Sequence, residues 1–397
     1  MAVTSYAPTG LTIRTAEDAD RPAMALLEAT CFGRWQAEET AEVWRSMMPD
    51  GGMVVACDGS DLVGQAAYLD LTLTVPGGAR LPMAGVTEVA VAPTHRRRGI
   101  LRAMLAELHS RMAGYPIAGL EASEGGIYGR FGYGPATVVH KRTVEGRKAE
   151  FHADVPDTGG VRIVRPVECR DRLEDIYERW RRQHAGGLYS PPQLWDEVLA
   201  DRETARHGGN PYFCLLHPDG YAMYRTRGDG EEKNVEVTKL VALTADAHIA
   251  LWRVLLGMDL ITTVTAWTAP DDPLPYLLTD PRLVRTRSVD DGLWLRLLDV
   301  PTALQARTYA ADVSAVLDIG DGRYALEVRD GRTRCVPATD DADVHLDLSV
   351  LGSLYMGSHR ASAFAAAGRL RCADAGLLAQ LDAAFASSVA AQLGYGF

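Results

Sequence analysis

Four arginines, Arg96, Arg97, Arg98 and Arg102, cluster around Gly99 in a pattern suited to holding a diphosphate. Residues 86–91 before them read as a strand, Pro93 breaks it, and Gly99 opens a helix. The first N–H groups of a helix have no partner within it, and the helix dipole makes that end favour an anion. Gly99 has no Cβ, so a ligand can come close to its backbone and to the N–H groups of Ile100 and Leu101. The guanidinium groups add charge and paired hydrogen bonds at the same point. A solvated basic loop before an ordinary helix has a similar composition, so the strand before and the amphipathic run after carry the weight.

The elements that must position this loop read as mixed α/β. In residues 1–145, a strand at 12–14 precedes a helix that holds Met24, Leu26 and Leu27, with Asp18 or Asp20 as its cap. A short helix at 41–48 and strands at 53–57 and 62–73 follow. The strand at 86–91 is near-continuously apolar, as expected of one buried on both faces. Ile100, Ala103, Met104, Leu108 and Met112 fall at helical spacing, and 117–122 is the next strand. Residues 146–295 repeat this order with a strand at 235–243, a helix at 245–256 and a strand at 261–267. Residues 243–247 lack any Arg-x-x-Gly, so this unit reads as a degenerate duplicate that kept the fold and lost the phosphate loop. From 296 the pattern changes to short strands and Ala/Leu-rich helices. No low-complexity linker separates the three parts, which predicts close packing.

The bulk composition narrows the class. A chain of 397 residues suggests two or three domains. Its 47% hydrophobic and 23% charged content is that of a globular protein, and no apolar run is long enough to span a membrane. The first ten residues show no basic region before an apolar core, so the expected location is cytoplasmic. The six cysteines include no C-x-x-C pair and the ten histidines form no ligand set, so no metal is expected. A net charge of −11 argues against nucleic acid as the main partner.

The strand, arginine loop and helix resemble the acetyl-CoA loop of the GNAT superfamily of N-acetyltransferases, commonly written Gln/Arg-x-x-Gly-x-Gly/Ala. Arg96-x-x-Gly99-x-Leu101 matches the first two fixed positions and departs at the last. The resemblance implies that Arg96, Arg97, Arg98, Gly99, Ile100, Leu101 and Arg102 hold acetyl-CoA, together with Val89, Ala90, Val91 and Ser123. Pantetheine amides would pair with the strand edge, and the N–H of Val89 or Val91 would polarise the thioester oxygen. Aminolysis of a thioester expels a thiolate. Because a thiol has a pKa of about 8.5 and a phenol about 10, a tyrosine can protonate the leaving sulfur. Tyr128 is the better candidate, since Tyr133 lies in a Gly-Tyr-Gly-Pro turn. The competing reading of Tyr128 is an aromatic packing residue.

Residues 89–102, 124–137, 278–280, 292–296 and 341–380 together resemble the enhanced intracellular survival (Eis) family of actinobacterial acetyltransferases, over nearly the whole chain. That likeness implies a catalytic GNAT domain at 1–145, a degenerate GNAT-like domain at 146–295 and a sterol-carrier-protein-like α+β domain at 296–397. It implies acetylation of amines, including aminoglycosides at several positions and lysine, and assembly as a homohexamer. It assigns Tyr128 as general acid and the α-carboxylate of the last residue, Phe397, as base. A carboxylate this much weaker than an amine serves as anchor and late proton acceptor, after the new C–N bond has made the nitrogen acidic. Phe32, Arg34, Trp35, Glu88 and Gly396 are the candidates for acceptor contact, whereas Trp44 reads as core. Aminoglycoside-acetylating members carry acidic residues where Arg34 and Gly396 stand, which weakens that substrate assignment. A narrower acyltransferase for one secondary-metabolite amine or peptide therefore stays open. So does a non-catalytic lipid- or CoA-binding scaffold.

Overall fold

The computed structural model describes residues 10–228 and 233–397. The first stretch forms β1 (Leu11–Thr15), α1 (Arg21–Phe32), α2 (Glu38–Ser46), β2 (Met53–Asp58), β3 (Asp61–Thr74), β4 (Arg80–Val91), α3 (Ile100–Arg111), β5 (Ile117–Glu121), β6 (Gly134–Pro135) and β7 (Val138–Glu145). Next come β8 (Arg162–Val164), α4 (Arg170–Gln183), α5 (Pro192–Ala200), β9 (Phe213–His217), β10 (Gly220–Arg227), β11 (Lys233–Ala242), α6 (Ala245–Leu256), β12 (Ile261–Thr268), α7 (Leu274–Leu277), β13 (Val284–Asp291) and β14 (Leu293–Leu297). The last stretch holds α8 (Val300–Ala306), β15 (Val313–Asp318), β16 (Arg323–Arg329), β17 (Arg332–Pro337), β18 (Val344–Leu346), α9 (Leu348–Tyr355), α10 (Ala361–Ala366), β19 (Leu370–Cys372) and α11 (Ala375–Phe385).

The first sheet has the order β1-β2-β3-β4-β5-β14-β6, and the second β13-β7-β12-β11-β10-β9-β8. Each has one parallel pair, β4·β5 and β11·β12, bridged by the crossover helix α3 or α6. The duplication read from the sequence is therefore visible as matching topology. The sheets do not follow contiguous segments split at 145 and 295. β7 leaves the first segment to pair with β12 and β13, and β14 returns to lie between β5 and β6. The two units thus exchange one strand each. A fragment ending at residue 145 lacks β14 and leaves β7 without a partner, exposing raw sheet edges. Residues 1–145 alone are expected to show no cooperative thermal transition by circular dichroism.

Local sequence explains the elements. In α3 the buried residues are Ile100, Met104, Leu105 and Leu108, one stripe at helical spacing. In α4 the stripe is Leu173, Ile176, Tyr177 and Trp180. Two expectations are corrected. Asp20 does not cap α1: its carboxylate grips Arg14 at 2.6 and 2.7 Å and accepts the Glu17 N–H at 2.8 Å. Residues 86–91 are not buried throughout. Only Val86 and Ala90 are, because this end of β4 lines a cleft.

The third sheet, β17-β16-β15-β18-β19, packs with its helices on the back of the first. Leu71, Met83 and Leu295 share one core with Leu317, Leu351 and Phe385. The approach is close: a Cβ on Gly352 would fall 2.1 Å from the Leu295 carbonyl oxygen. Arg307 lies inside this core and donates to the carbonyls of Leu354, Tyr355 and Phe385 at 3.3, 2.7 and 3.0 Å. Those bonds and the Tyr309 and Phe385 rings beside it answer the cost of burying its charge.

Candidate active site

β4 and β5 pair only from Met83↔Ile117 to Gly85↔Gly119 and then part. The cause lies in β4. Its register against β3 slips so that Gln65 faces Ala90 and Ala67 faces Thr87, which leaves a bulge at Glu88 and Val89. Glu88 has a left-handed backbone with φ 51°, a strained conformation for a non-glycine residue. The bend opens a V of about 1080 Å³ whose walls are the unpaired edges of β4 and β5. A strand edge with free N–H and C=O groups can receive an amide-bearing chain as an added strand.

The arginine loop closes one end of the V. Gly99 adopts φ 82° and makes no side-chain cap to α3, so the first N–H groups of that helix are left for a ligand. Arg96, Arg97, Arg98, Gly99, Ile100, Leu101 and Arg102 all line the cleft, as do Val89, Ala90, Val91 and Ser123. Arg98 is partly spoken for, donating to Asp58 at 3.2 Å. Arg96, Arg97 and Arg102 make no ion pair among the described residues. Arg97→Ala is expected to weaken acetyl-CoA binding by about tenfold, the loss of one exposed charge-assisted contact. Isothermal titration calorimetry checks this.

Tyr128 comes from the turn after β5, a 3-10 segment Tyr128–Phe131 ended by Gly132 at φ 81°. It is half-buried, lines the cleft and packs edge-on against Tyr133 with centroids 6.3 Å apart. Burial, and then the charge of Glu124, push its phenol up to about 12. Its hydroxyl makes no hydrogen bond to any described residue. Tyr133 is fully buried instead, its hydroxyl 3.0 Å from His109 Nε2. Burial lowers His109 to about 4, so the ring is neutral in this pair.

Phe397 enters the same cleft from the opposite direction. Its N–H donates to Glu121 Oε2 at 3.0 Å. Its ring lies at the apex of the V, where a Cβ on Gly85 would come within 2.9 Å of it. The tail reaches this point through the V of the second sheet. β11 and β12 pair as far as Val237↔Ala266, and β11 then bulges at Thr238. Leu240 and Trp267, on the two diverging strands, flank the tail on both sides. The Gln392 and Gly394 N–H groups donate to Ala185 and Gly186 carbonyls at 2.9 Å, and Lys239 Nζ donates to the Gly394 carbonyl. A side chain at Gly394 would strike the Tyr177 hydroxyl, and one at Gly396 would strike Glu121.

The second V cannot serve a phosphate as the first can. Thr244 caps α6 by accepting the Ala247 N–H at 3.2 Å, and Asp246 puts a negative charge in its first turn. The sequence showed a missing loop there; the structure shows the space reused to guide the chain terminus.

The acceptor candidates divide. Phe32 and Glu88 line the cleft. Trp35 is 68% exposed, and it and Arg34 stand outside the lining. Gly396 lines a neighbouring chamber and not the cleft itself. Glu88 and Glu121 line the cleft, and Glu28 lies close enough to Glu88 to act on its charge. Burial, and then the charge of Glu28, raise Glu88 to about 7. Burial likewise raises Glu28, which Arg34 partly offsets, and raises Glu121 against the Phe397 N–H. Sequence reasoning passed over Glu121 and Arg130, which line this cleft, and Glu28, whose charge acts on Glu88. Glu121 had a signal: it is a charged residue closing an otherwise apolar strand. Glu28 had only its place on the same turn of α1 as Cys31.

The chain matches the family described as Acetyltransferase (GNAT) domain over residues 12–136, a second such GNAT family over 186–297, and Sterol carrier protein domain over 300–393. It is 54% identical to N-acetyltransferase Eis of Mycobacterium tuberculosis, with all of both chains covered. It is 35% identical to an uncharacterized N-acetyltransferase of Streptomyces avermitilis, covering 91% of this chain and 93% of the relative. Among solved structures, Eis1 from Mycobacterium abscessus matches with a TM-score of 0.86 at 31% identity, covering 98% of this chain and all of that one. GNAT acetyltransferases use acetyl-CoA, and the uncapped α3, the free arginines and the open strand edges of this cleft suit that donor. The two GNAT domains and the terminal sterol-carrier domain thus bear out the fold class and the enzyme class read from the sequence. The chain belongs to the Eis family of GNAT N-acetyltransferases.

Proposed function

We propose that the protein transfers acetyl from acetyl-CoA to a primary amine by direct attack in a ternary complex. One observation carries the reading: Tyr128 and Phe397, far apart in sequence, line a single cleft beside the splayed edges of β4 and β5. The amine nitrogen forms a bond to the thioester carbon and the C–S bond breaks. Tyr128 gives its proton to the departing sulfur. The Phe397 carboxylate takes the proton that the nitrogen loses, and returns it through water to the tyrosinate. The N–H of Val89 or Val91 stabilises the oxyanion.

Glu28, Glu88 and Glu121 supply negative charge for a cationic acceptor, such as an aminoglycoside or a lysine side chain. The lack of an acid at Gly396 favours a narrower range, an amine or peptide of secondary metabolism. The assembly carried over from the family is a homohexamer, which sedimentation analysis checks.

Release of CoA thiol from acetyl-CoA, measured against aminoglycosides, lysine peptides and polyamines, tests the proposal. Amine-dependent release supports it; tight lipid binding without release would support a scaffold. The acceptor KM is expected to fall as pH rises through about 7, where Glu88 becomes anionic. Glu88→Gln should flatten that dependence, and an unchanged profile would remove Glu88 from the acceptor site.

A further inference from the structure

Residues 386–397 follow α11 and carry the terminal carboxylate to the acetyl cleft. That carboxylate forms no ion pair among the described residues, so the chain behind it sets its place. The Gln392 and Gly394 N–H groups bind the turn after α4. The two arms of the second V each add a charged side chain. Asp271, just past β12, accepts the Ala390 N–H at 2.7 Å at the outer end. Lys239, on β11 just past its bulge, donates to the Gly394 carbonyl at the inner end.

Lys239 forms no ion pair among the described residues. Its Nζ lies 5.1 and 5.4 Å from the Tyr177 and Trp180 ring centroids, within reach of both ring faces. Burial pushes its ammonium down to about 8, so a charge held here costs free energy that an apolar side chain would not. The two rings and the Gly394 carbonyl are what offset that cost. Gly394 is fixed from three directions. Its N–H donates to the Gly186 carbonyl at 2.9 Å, its own carbonyl receives Lys239, and a side chain on it would strike the Tyr177 hydroxyl. Only three residues, about 10 Å of backbone, then lead to the carboxylate. Two of them are anchored as well. The Tyr395 hydroxyl donates to the Tyr189 carbonyl at 2.7 Å, and the Phe397 N–H to Glu121 at 3.0 Å. Glu121 lines both the acetyl cleft and the neighbouring chamber of about 600 Å³. A shift of about 1 Å at a reacting group can cost on the order of 100-fold in rate, so an anchor this near bears on the chemistry.

We infer that Lys239 is a positioning residue for the terminal carboxylate: its ammonium fixes the Gly394 carbonyl and so sets where the Phe397 carboxylate stands in the cleft. β11 holds the place in the second sheet that β4 holds in the first. Where β4 offers its edge to a cofactor, β11 grips a piece of its own chain. The second unit thereby serves the chemistry of the first. The inference rests on the acetyl-transfer reading above and adds Lys239 to its machinery.

Lys239→Met keeps most of the side chain's length and its ring contacts, and removes the charge and the donor. In the full-length protein with saturating acetyl-CoA, kcat is expected to fall about tenfold while the Kd for acetyl-CoA stays unchanged. The melting temperature should not fall, because an apolar group has replaced a buried charge. The same substitution is then made in protein with a C-terminal amide, which lacks the charge that Lys239 places. There it should change kcat by less than about twofold, since two changes acting through one group do not add. A full tenfold loss in the amide, or normal kcat in Lys239→Met itself, overturns the inference. Hydrogen exchange read by mass spectrometry reports the grip on the tail without turnover. The Gln392 and Gly394 amides should exchange about tenfold faster in Lys239→Met, and unchanged exchange overturns the inference whatever the rates. Faster exchange in a protein that acetylates no amine would sink the acetyl-transfer reading and keep the grip. Full activity of the amide alone would sink the base assignment, and with it the part Lys239 plays in catalysis.

Discussion

Tyr128→Phe should lower kcat by about 10²–10⁴-fold, the usual contribution of a positioned general acid, while the Kd for acetyl-CoA stays unchanged. The side chain keeps its ring contact with Tyr133 and loses only its hydroxyl, so the fold has no reason to change. A phenol at about 12 is a weaker acid than the free side chain. Against a thiol of about 8.5 in water the transfer would be uphill by roughly 5 kcal/mol. The gap narrows in the cleft, because the burial that disfavours tyrosinate disfavours thiolate as well. On the proposed mechanism Tyr128 then donates as the C–S bond breaks and not before. The same value places its ionisation well above neutral pH. The wild-type rate should not decline below about pH 10 through loss of this proton. A Phe variant with near-normal kcat would return Tyr128 to a packing role.

Moving the terminal carboxylate should cost about as much, again 10²–10⁴-fold in kcat. Adding three residues after Phe397 displaces the charge but spares the bonds at Gln392 and Gly394 and the Lys239 contact. Thermal stability is therefore expected to stay near that of the chain ending at Phe397. A C-terminal amide made by ligation is the sharper test, since the ring stays on Gly85 and only the charge is lost. Single-turnover measurements separate the chemical step from acetyl-CoA binding. Full activity in the extended or amidated protein would exclude the carboxylate as proton acceptor.

Much of the fold was legible because its signals are local. Helical spacing in 100–112 and the strand-loop-helix order before it lead directly to α3 and the open helix start at Gly99. The alternating order of 235–267 leads to β11, α6 and β12. The misses are long-range. Nothing in 138–145 says that this strand will pair with β12 and not β5, since either edge satisfies its backbone equally well locally. The cap expected from Asp18 or Asp20 is absent because arginines took both carboxylates, Arg14 on another element holding Asp20 and Arg21 holding Asp18. The acceptor candidates divided for a related reason. Arg34 and Trp35 were placed by register along the chain and stand outside the cleft, while Glu121 joins Glu88 in its lining because β5 parts from β4 at the bulge.

The amino-acid order by itself determined the arginine loop, the phenol after β5, the apolar chain end, and the repeat of one domain plan. Each depends on spacing over a few turns of backbone, which covalent geometry fixes. Tertiary structure alone decided the strand exchange, the V opened at Glu88, the route of the tail through the second sheet and the junction of two cavities at Glu121. These depend on which distant edges and side chains meet, and that is settled by the packing of the whole chain.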